Sequence, residues 1–253
     1  MIPIRDEIPS RRAPVVTWSI MAVCVGVYLY QLTLPELGLK RLFYLFGVVP
    51  ARYADPAWAL SVGFPHAGPL PFLTSLFLHG GFFHLLSNMW SLWIFGDNVE
   101  DRMGRLRYAL FYLGCGLLAG LAHWISDPAS IAPTIGASGA IAGVLGAYLR
   151  WYPNAKVLTL IPIFIYPLFV DLPAVAFLGI WFVLQIFSGA ASLGAAQAGG
   201  VAWWAHVGGF VAGFLLAGPL AARPLGEPPG APRHHVLPRL APRSRAPGPP
   251  RPL

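Results

Sequence analysis

The chain has 253 residues, a formal net charge of +7 and a mean hydropathy of +0.62. Hydrophobic residues make up 56% of it and charged residues only 11%, whereas a soluble globular domain usually has about 25% charged residues. This composition excludes an ordinary soluble domain and predicts a protein whose main solvent is the lipid bilayer.

Uncharged apolar runs predict the membrane helices, because a helix needs about 20 apolar residues to cross a hydrocarbon core of about 30 Å. The predicted spans are residues 15–34, 82–96, 108–126 and 128–149, and two within 172–222 that are separated by a Gly- and Ala-rich turn at 189–200. The sequence therefore predicts an all-α polytopic membrane protein with six transmembrane helices.

Basic residues predict the orientation, since cytoplasmic loops carry an excess of Lys and Arg near helix ends. With six spans, all but three of the 17 basic residues fall on one side, and the other side has Lys40, Arg41 and Arg52. Both termini are therefore expected in the cytoplasm. The positive charge on that side suits anionic membrane lipid, so it gives no reason to expect a nucleic-acid partner.

The span count divides the chain into a cytoplasmic N-terminal segment at 1–14, a membrane domain at 15–222 and a tail at 223–253. The tail is dense in Pro and Arg, which is typical of a disordered cytoplasmic extension. Residues 157–170 are apolar but only 14 long, with two prolines, and are expected to form an interfacial or re-entrant piece. Glu100 and Arg102 are expected to form a charge pair in a cytoplasmic turn.

Polar side chains at membrane depth are costly, so they mark candidate functional residues. His84 and Asn88 are four residues apart in the second span and lie on one helix face. Ser138 begins the fourth span, and His206 lies near the start of the sixth. Because the chain enters both of those helices from the outer side, Ser138 and His206 are expected at the same membrane face and at similar depth.

The pair of Ser138 and His206 predicts nucleophilic chemistry, because a serine hydroxyl needs a base within about 2.6 to 3.2 Å to accept its proton. Small residues at four-residue spacing favour close contact between the two helices. These residues are Gly139 and Gly143 after the serine, and Ala205, Gly209 and Gly213 around the histidine. No aspartate is placed to orient the histidine, so a Ser-His dyad is the simpler interpretation.

Acyl transfer also needs hydrogen-bond donors for the developing oxyanion. The side chains of His84 and Asn88 are two candidates, and the backbone N–H of Ser138 at a helix N-terminus is a third. Gly136 and Gly139 leave room for the backbone of a scissile peptide. No metal or cofactor is expected, because the sequence has no His-Glu-x-x-His pair and no carboxylate at depth.

The combined motifs resemble the rhomboid family of intramembrane serine proteases over roughly residues 40–220. The matching residues are His79, His84 and Asn88, the segment 100–104, the Gly-Ala-Ser-Gly motif at 136–139, and His206 with Gly209 and Gly213. The resemblance implies a six-helix core, a Ser138–His206 dyad, and single-span transmembrane substrates cut near the outer face. One departure is Ala142, where relatives commonly carry an aromatic residue.

Each motif also has an ordinary explanation, such as helix packing for the small residues and a purely structural role for His79. A non-catalytic rhomboid-like binder of client helices is an alternative, but such proteins typically lack the nucleophile or the base. A small-solute transporter would show repeated halves, which this sequence lacks. We expect a multi-pass protein of a bacterial plasma membrane, because no Ser-rich transit segment precedes the first span.

Overall fold

The computed structural model describes residues 1–65, 68–164, 166–192 and 201–221. Its helices are α1 Val15–Leu32, α2 Glu36–Phe46, α3 Ala51–Ala54, α4 Pro56–Ser61, α5 Leu70–Thr74, α6 Phe82–Met103, α7 Arg105–Ser126, α8 Ser138–Trp151, α9 Ala174–Ser192 and α10 Trp203–Leu220. Its strands are β1 Ile2–Asp6, β2 Lys156–Ile163 and β3 Tyr166–Pro173. The predicted tail at 223–253 and most of the predicted turn at 189–200 lie outside the described residues.

The long helices confirm a mostly helical polytopic membrane fold. In the described part of the chain, four helices are long and apolar enough to cross a membrane, namely α1, α7, α9 and α10. Helix α6 forms a bent pair with the short helical stretch Leu70–Phe77, at 91°, which would make a fifth span. Helix α8 has only 14 residues, whereas a full crossing needs about 20. The count of six spans and the cytoplasmic termini therefore stay predictions.

The prediction of an all-α fold is wrong, because three strands form an antiparallel sheet in the order β1-β2-β3. The segment 157–170, expected to be an interfacial or re-entrant piece, forms most of the β2–β3 hairpin. The start of β2 alternates as a strand requires, with the side chains of Val157 and Thr159 both fully buried on one face. Strand β1 comes from the N-terminal segment and forms backbone hydrogen bonds with β2. This pairing was not predicted from the sequence.

Side chains of the long helices hold the N-terminal segment against the bundle. Trp90 in α6 donates from Nε1 to the carbonyl oxygen of Pro3 at 2.6 Å, and Asn98 donates to that of Ile8 at 2.8 Å. Tyr148 in α8 donates its hydroxyl to the carboxylate of Asp6 at 2.6 Å. The N-terminal segment is thus packed against the helices through side chains of both α6 and α8.

A buried carboxylate of α6 caps the first turn of α1. The side chain of Glu100 accepts hydrogen bonds from the backbone N–H groups of Val16 and Thr17, at 3.0 and 2.8 Å, and from the Thr17 hydroxyl at 2.9 Å. Arg102 lies instead over the ring of Trp151, 4.9 Å from its centroid. The predicted Glu100–Arg102 pair in a turn is therefore wrong, because the unpaired N–H groups at a helix N-terminus attract the carboxylate.

Helix α8 lies in the centre of the bundle, and eleven of its 14 residues are buried. It contacts α10 through backbone atoms. A Cβ on Gly209 would overlap the carbonyl oxygen of Gly139, and a Cβ on Gly213 would overlap that of Gly143. On the α7 side, a Cβ on Gly139 would lie 2.6 Å from the Cβ of Ala119. The contact between α8 and α10 therefore requires glycine at positions 209 and 213.

We expect Gly209→Ala to destabilise the fold, because the new methyl group would push α8 and α10 apart. Overpacking of this kind typically costs about 1–3 kcal/mol. Gly179→Ala in α9 is the matched control, since a Cβ there meets no atom within 4 Å. Thermal unfolding in detergent should give a lower midpoint for Gly209→Ala and an equal or slightly higher one for Gly179→Ala, since alanine favours a helix more than glycine does. Equal midpoints for the two variants would contradict the packing described above.

Candidate active site

A cavity of about 640 Å³ lies at the N-terminal ends of α8 and α10. All the predicted catalytic and oxyanion residues line it, together with two of the predicted glycines: Ser138, His206, His84, Asn88, Gly136 and Gly139. The other predicted glycines, Gly143, Gly209 and Gly213, lie in the contact between α8 and α10. The polar candidates therefore line one cavity, and the remaining glycines lie in the helix contact next to it.

Ser138 and His206 are within hydrogen-bond distance of each other. Ser138 is the first residue of α8, and its Oγ lies 2.8 Å from Nε2 of His206 in the first turn of α10. The imidazole is buried, while Ser138 is partly exposed to the cavity. This distance lies in the range that a base needs to accept a proton from a hydroxyl group.

The loop before α8 fixes where the helix begins. The predicted span at 128–149 is helical only from Ser138, because Thr134 pairs with Val48 through two backbone hydrogen bonds of 2.7 and 3.0 Å. The N–H of Gly136 then donates to the carbonyl oxygen of Ser75 at 2.9 Å. The first N–H groups of α8 have no acceptor within the helix, so they are free to face a ligand beside Ser138.

His84 is held in one tautomer by the turn that precedes α6. Its Nδ1 accepts a hydrogen bond from the backbone N–H of Gly80 at 3.4 Å. A backbone N–H can only donate, so in the neutral ring the proton is on Nε2. Gly136 faces that nitrogen: a Cβ there would lie 2.7 Å from His84 Nε2, and its φ of +124° also favours glycine. The ring thus presents a donor to the cavity.

Asn88 presents a second donor to the same place. Its side chain is buried, and Nδ2 has no hydrogen-bond partner among the residues that the structure describes. A Cβ on Gly136 would lie 3.7 Å from this nitrogen. A buried amide donor without a partner is costly, so this nitrogen is available to an acceptor that enters the cavity.

His79 lies behind the cavity and is not part of its lining. Its side chain is fully buried, and its ring packs edge-on against His84 with centroids 5.2 Å apart. The amide of Gln31 in α1 binds both backbone groups of His79, donating to its carbonyl oxygen at 2.6 Å and accepting from its N–H at 3.1 Å. These contacts fit the supporting role expected for His79.

Sequence reasoning missed the residues that surround His206 on its other side. Gln185 in α9 places its Oε1 2.7 Å from Nδ1 of the histidine. The rings of Trp181 and Trp203 lie 6.0 and 6.1 Å from the imidazole, so aromatic packing comes from these residues although Ala142 has no ring. Gln185 could have been recognised from the sequence, because it is a polar residue in the middle of an apolar helix and a polar group at membrane depth needs a partner.

Comparison with known proteins identifies the family. A family model described as the rhomboid domain matches residues 67–223, which is more than half of the chain. This chain belongs to the rhomboid family. It is 31% identical over 127 residues to the protein named "Putative rhomboid protease YdcA" of Bacillus subtilis, across 49% of this chain and 63% of that protein.

Further rhomboid relatives come from eukaryotic organelles, as their names state. Rhomboid-like protein 11, chloroplastic, of Arabidopsis thaliana is 34% identical over 136 residues, covering 54% of this chain and 41% of the relative. Rhomboid protein 1, mitochondrial, of Saccharomyces cerevisiae is 32% identical over 145 residues, covering 56% of this chain and 39% of the relative. The aligned part is less than two thirds of the length of each of the three relatives.

Membership of the rhomboid family, together with the long apolar helices, identifies an integral membrane protein. One of these relatives comes from a bacterium, and the other two are named as chloroplastic and mitochondrial. The bacterial plasma membrane therefore stays a prediction for this rhomboid.

Proposed function

We propose that this rhomboid protein is an intramembrane serine endopeptidase, with Ser138 as the nucleophile and His206 as its general base. The proposal rests on the 2.8 Å contact between Ser138 Oγ and His206 Nε2 in a cavity with unpaired donors. Its substrates are single-span transmembrane proteins. A cavity of about 640 Å³ is large enough for a short unwound stretch of such a substrate.

In the proposed acylation step, His206 Nε2 accepts the hydroxyl proton of Ser138 while Oγ attacks the carbonyl carbon of the scissile bond. The same proton then passes to the nitrogen of the leaving amine, the C–N bond breaks, and an acyl ester stays on Ser138. In deacylation, His206 accepts a proton from water as the water oxygen attacks the ester. The proton returns to Oγ, which releases the carboxylic acid product and the free serine.

The oxyanion of each tetrahedral intermediate would face the donors around Gly136. Nε2–H of His84 and Nδ2 of Asn88 both lie close to this glycine, two residues before the nucleophile. The N–H groups at the start of α8 carry the partial positive charge of a helix N-terminus. Donors that are fixed in an apolar surrounding stabilise a developing charge strongly, because they need no reorganisation during the reaction.

The same proposal includes six spans in a membrane domain at 15–222, with the segment 1–14 and the tail 223–253 in the cytoplasm of a bacterium. Cleavage then takes place towards the outer face. Helix α8 has 14 residues and spans about 21 Å, against a hydrocarbon core of about 30 Å. With its C-terminal end near the cytoplasmic boundary, Ser138 lies several Å below the outer surface.

Cleavage of a tagged single-span reporter, with small residues at its outer membrane boundary, tests the dyad. We expect the wild type to cleave it in liposomes, and Ser138→Ala and His206→Ala to lose at least about a thousandfold in rate, because neither retains the nucleophile–base pair. Ser91→Ala is the matched control, since this serine of α6 does not line the cavity. Folded dyad variants that cleave at the wild-type rate would contradict the proposal. If the wild type binds the reporters without cleaving any, the protein is a non-catalytic binder of client helices.

Asn88→Ala tests the oxyanion donors. We expect kcat to fall by about 100- to 1000-fold with little change in KM, since the lost hydrogen bond forms only when the oxyanion develops. Asn98→Ala is the matched control, because Asn98 is buried in the same helix but donates to Ile8 far from the cavity. An equal loss of kcat in both folded variants, or a change confined to KM, would show that Asn88 has no such role.

A further inference from the structure

The glutamine of α9 is bound at both ends of its amide group. Gln185 is buried, with 6% of its surface exposed. Its Nε2 donates to the carbonyl oxygen of Trp181 at 3.2 Å, one turn earlier in the same helix. Its Oε1 lies 2.7 Å from Nδ1 of His206. Both polar atoms of the side chain are therefore engaged, and the amide is fixed between its own helix and α10.

These contacts determine the direction of each hydrogen bond up to the serine. A backbone carbonyl only accepts, so the amide nitrogen of Gln185 must face Trp181 and its oxygen must face His206. An amide oxygen also only accepts, so Nδ1 of His206 must carry a proton. In the neutral ring Nε2 then has a free lone pair, and the Ser138 hydroxyl donates to it across 2.8 Å.

Aromatic rings hold α9 at the distance that this arrangement needs. Phe182 stacks on Phe210 of α10 with centroids 4.5 Å apart, and Trp181 lies 5.9 Å from the same ring. Phe210 is one turn after His206, so this cluster sits directly beside the glutamine–histidine contact. Moving α9 away from α10 would remove the acceptor from Nδ1.

We propose that Gln185 is a positioning residue, and that it extends the Ser138–His206 pair to a Ser138–His206–Gln185 triad. The inference rests on the protease function proposed above. Gln185 holds the imidazole in the tautomer in which Nε2 accepts the serine proton, and its oxygen stabilises the Nδ1–H of the imidazolium ion that forms. An amide does this without a net charge, whereas a buried carboxylate would be costly among apolar helices.

Reporter cleavage in liposomes by three variants provides the first test. Gln185→Leu removes the acceptor with little change in volume, and we expect kcat to fall at least about tenfold while KM stays near the wild-type value. Gln185→Glu retains an acceptor oxygen whether its carboxyl group is neutral or ionised, so the kcat of the folded variant should lie closer to the wild type than to Gln185→Leu. Leu184→Ala alters the neighbouring exposed position of α9 and should leave both constants unchanged. A folded Gln185→Leu variant with wild-type kcat would overturn the inference and leave the protease function intact.

Histidine-selective 15N labelling provides a second test that does not depend on proteolysis. The His206 signals are assigned by their loss in His206→Ala. We expect Nδ1 to be protonated and Nε2 unprotonated at neutral pH in the wild type, and this tautomer to lose its dominance in Gln185→Leu. If neither the wild type nor any variant cleaves a reporter, the proposed protease function fails. The NMR spectra still test whether Gln185 fixes the tautomer of His206. Identical His206 signals in the wild type and Gln185→Leu would overturn the inference.

Discussion

Direct contact between the backbones of α8 and α10 determines the geometry of the site. Gly139 faces Gly209 and Gly143 faces Gly213, and a methyl group on either residue of α10 would overlap a carbonyl oxygen of α8. Because the two helices approach this closely, side chains in their first turns can meet. The 2.8 Å distance between Ser138 and His206 follows from that approach. A wider separation of the helices would leave a serine and a histidine without chemical contact.

Three buried polar side chains join the helices around the site through specific partners, because unpaired polar groups are costly in an apolar surrounding. Gln31 ties α1 to the backbone that precedes α6, and Glu100 of α6 ties that helix to the first turn of α1. Gln185 ties α9 to His206. Asn88 is different, since its Nδ2 lacks a partner within the described residues and faces the cavity. Asn88 therefore differs from these three residues in that its amide nitrogen faces open space in the cavity.

The sequence singled out the polar residues that line the cavity, because apolar composition makes every buried polar group conspicuous and four-residue spacing assigns small residues to one helix face. It did not predict the sheet. Residues 157–170 have the composition of an interfacial segment, and their strand partner is the segment Ile2–Asp6, far away in the chain. Gln185 was missed for a chemical reason: the usual partner of such a histidine is a carboxylate, whereas an amide oxygen accepts the same hydrogen bond without a charge.

Covalent labelling with an alkyl fluorophosphonate tests the proposed activation of Ser138 by His206. This reagent reacts with an activated serine and needs no transmembrane substrate. Peptide mapping by mass spectrometry should find the adduct on Ser138 of the wild type, and labelling of the same residue should be much slower in His206→Ala. An adduct on a different serine, or equal rates in the wild type and His206→Ala, would show that His206 does not activate Ser138.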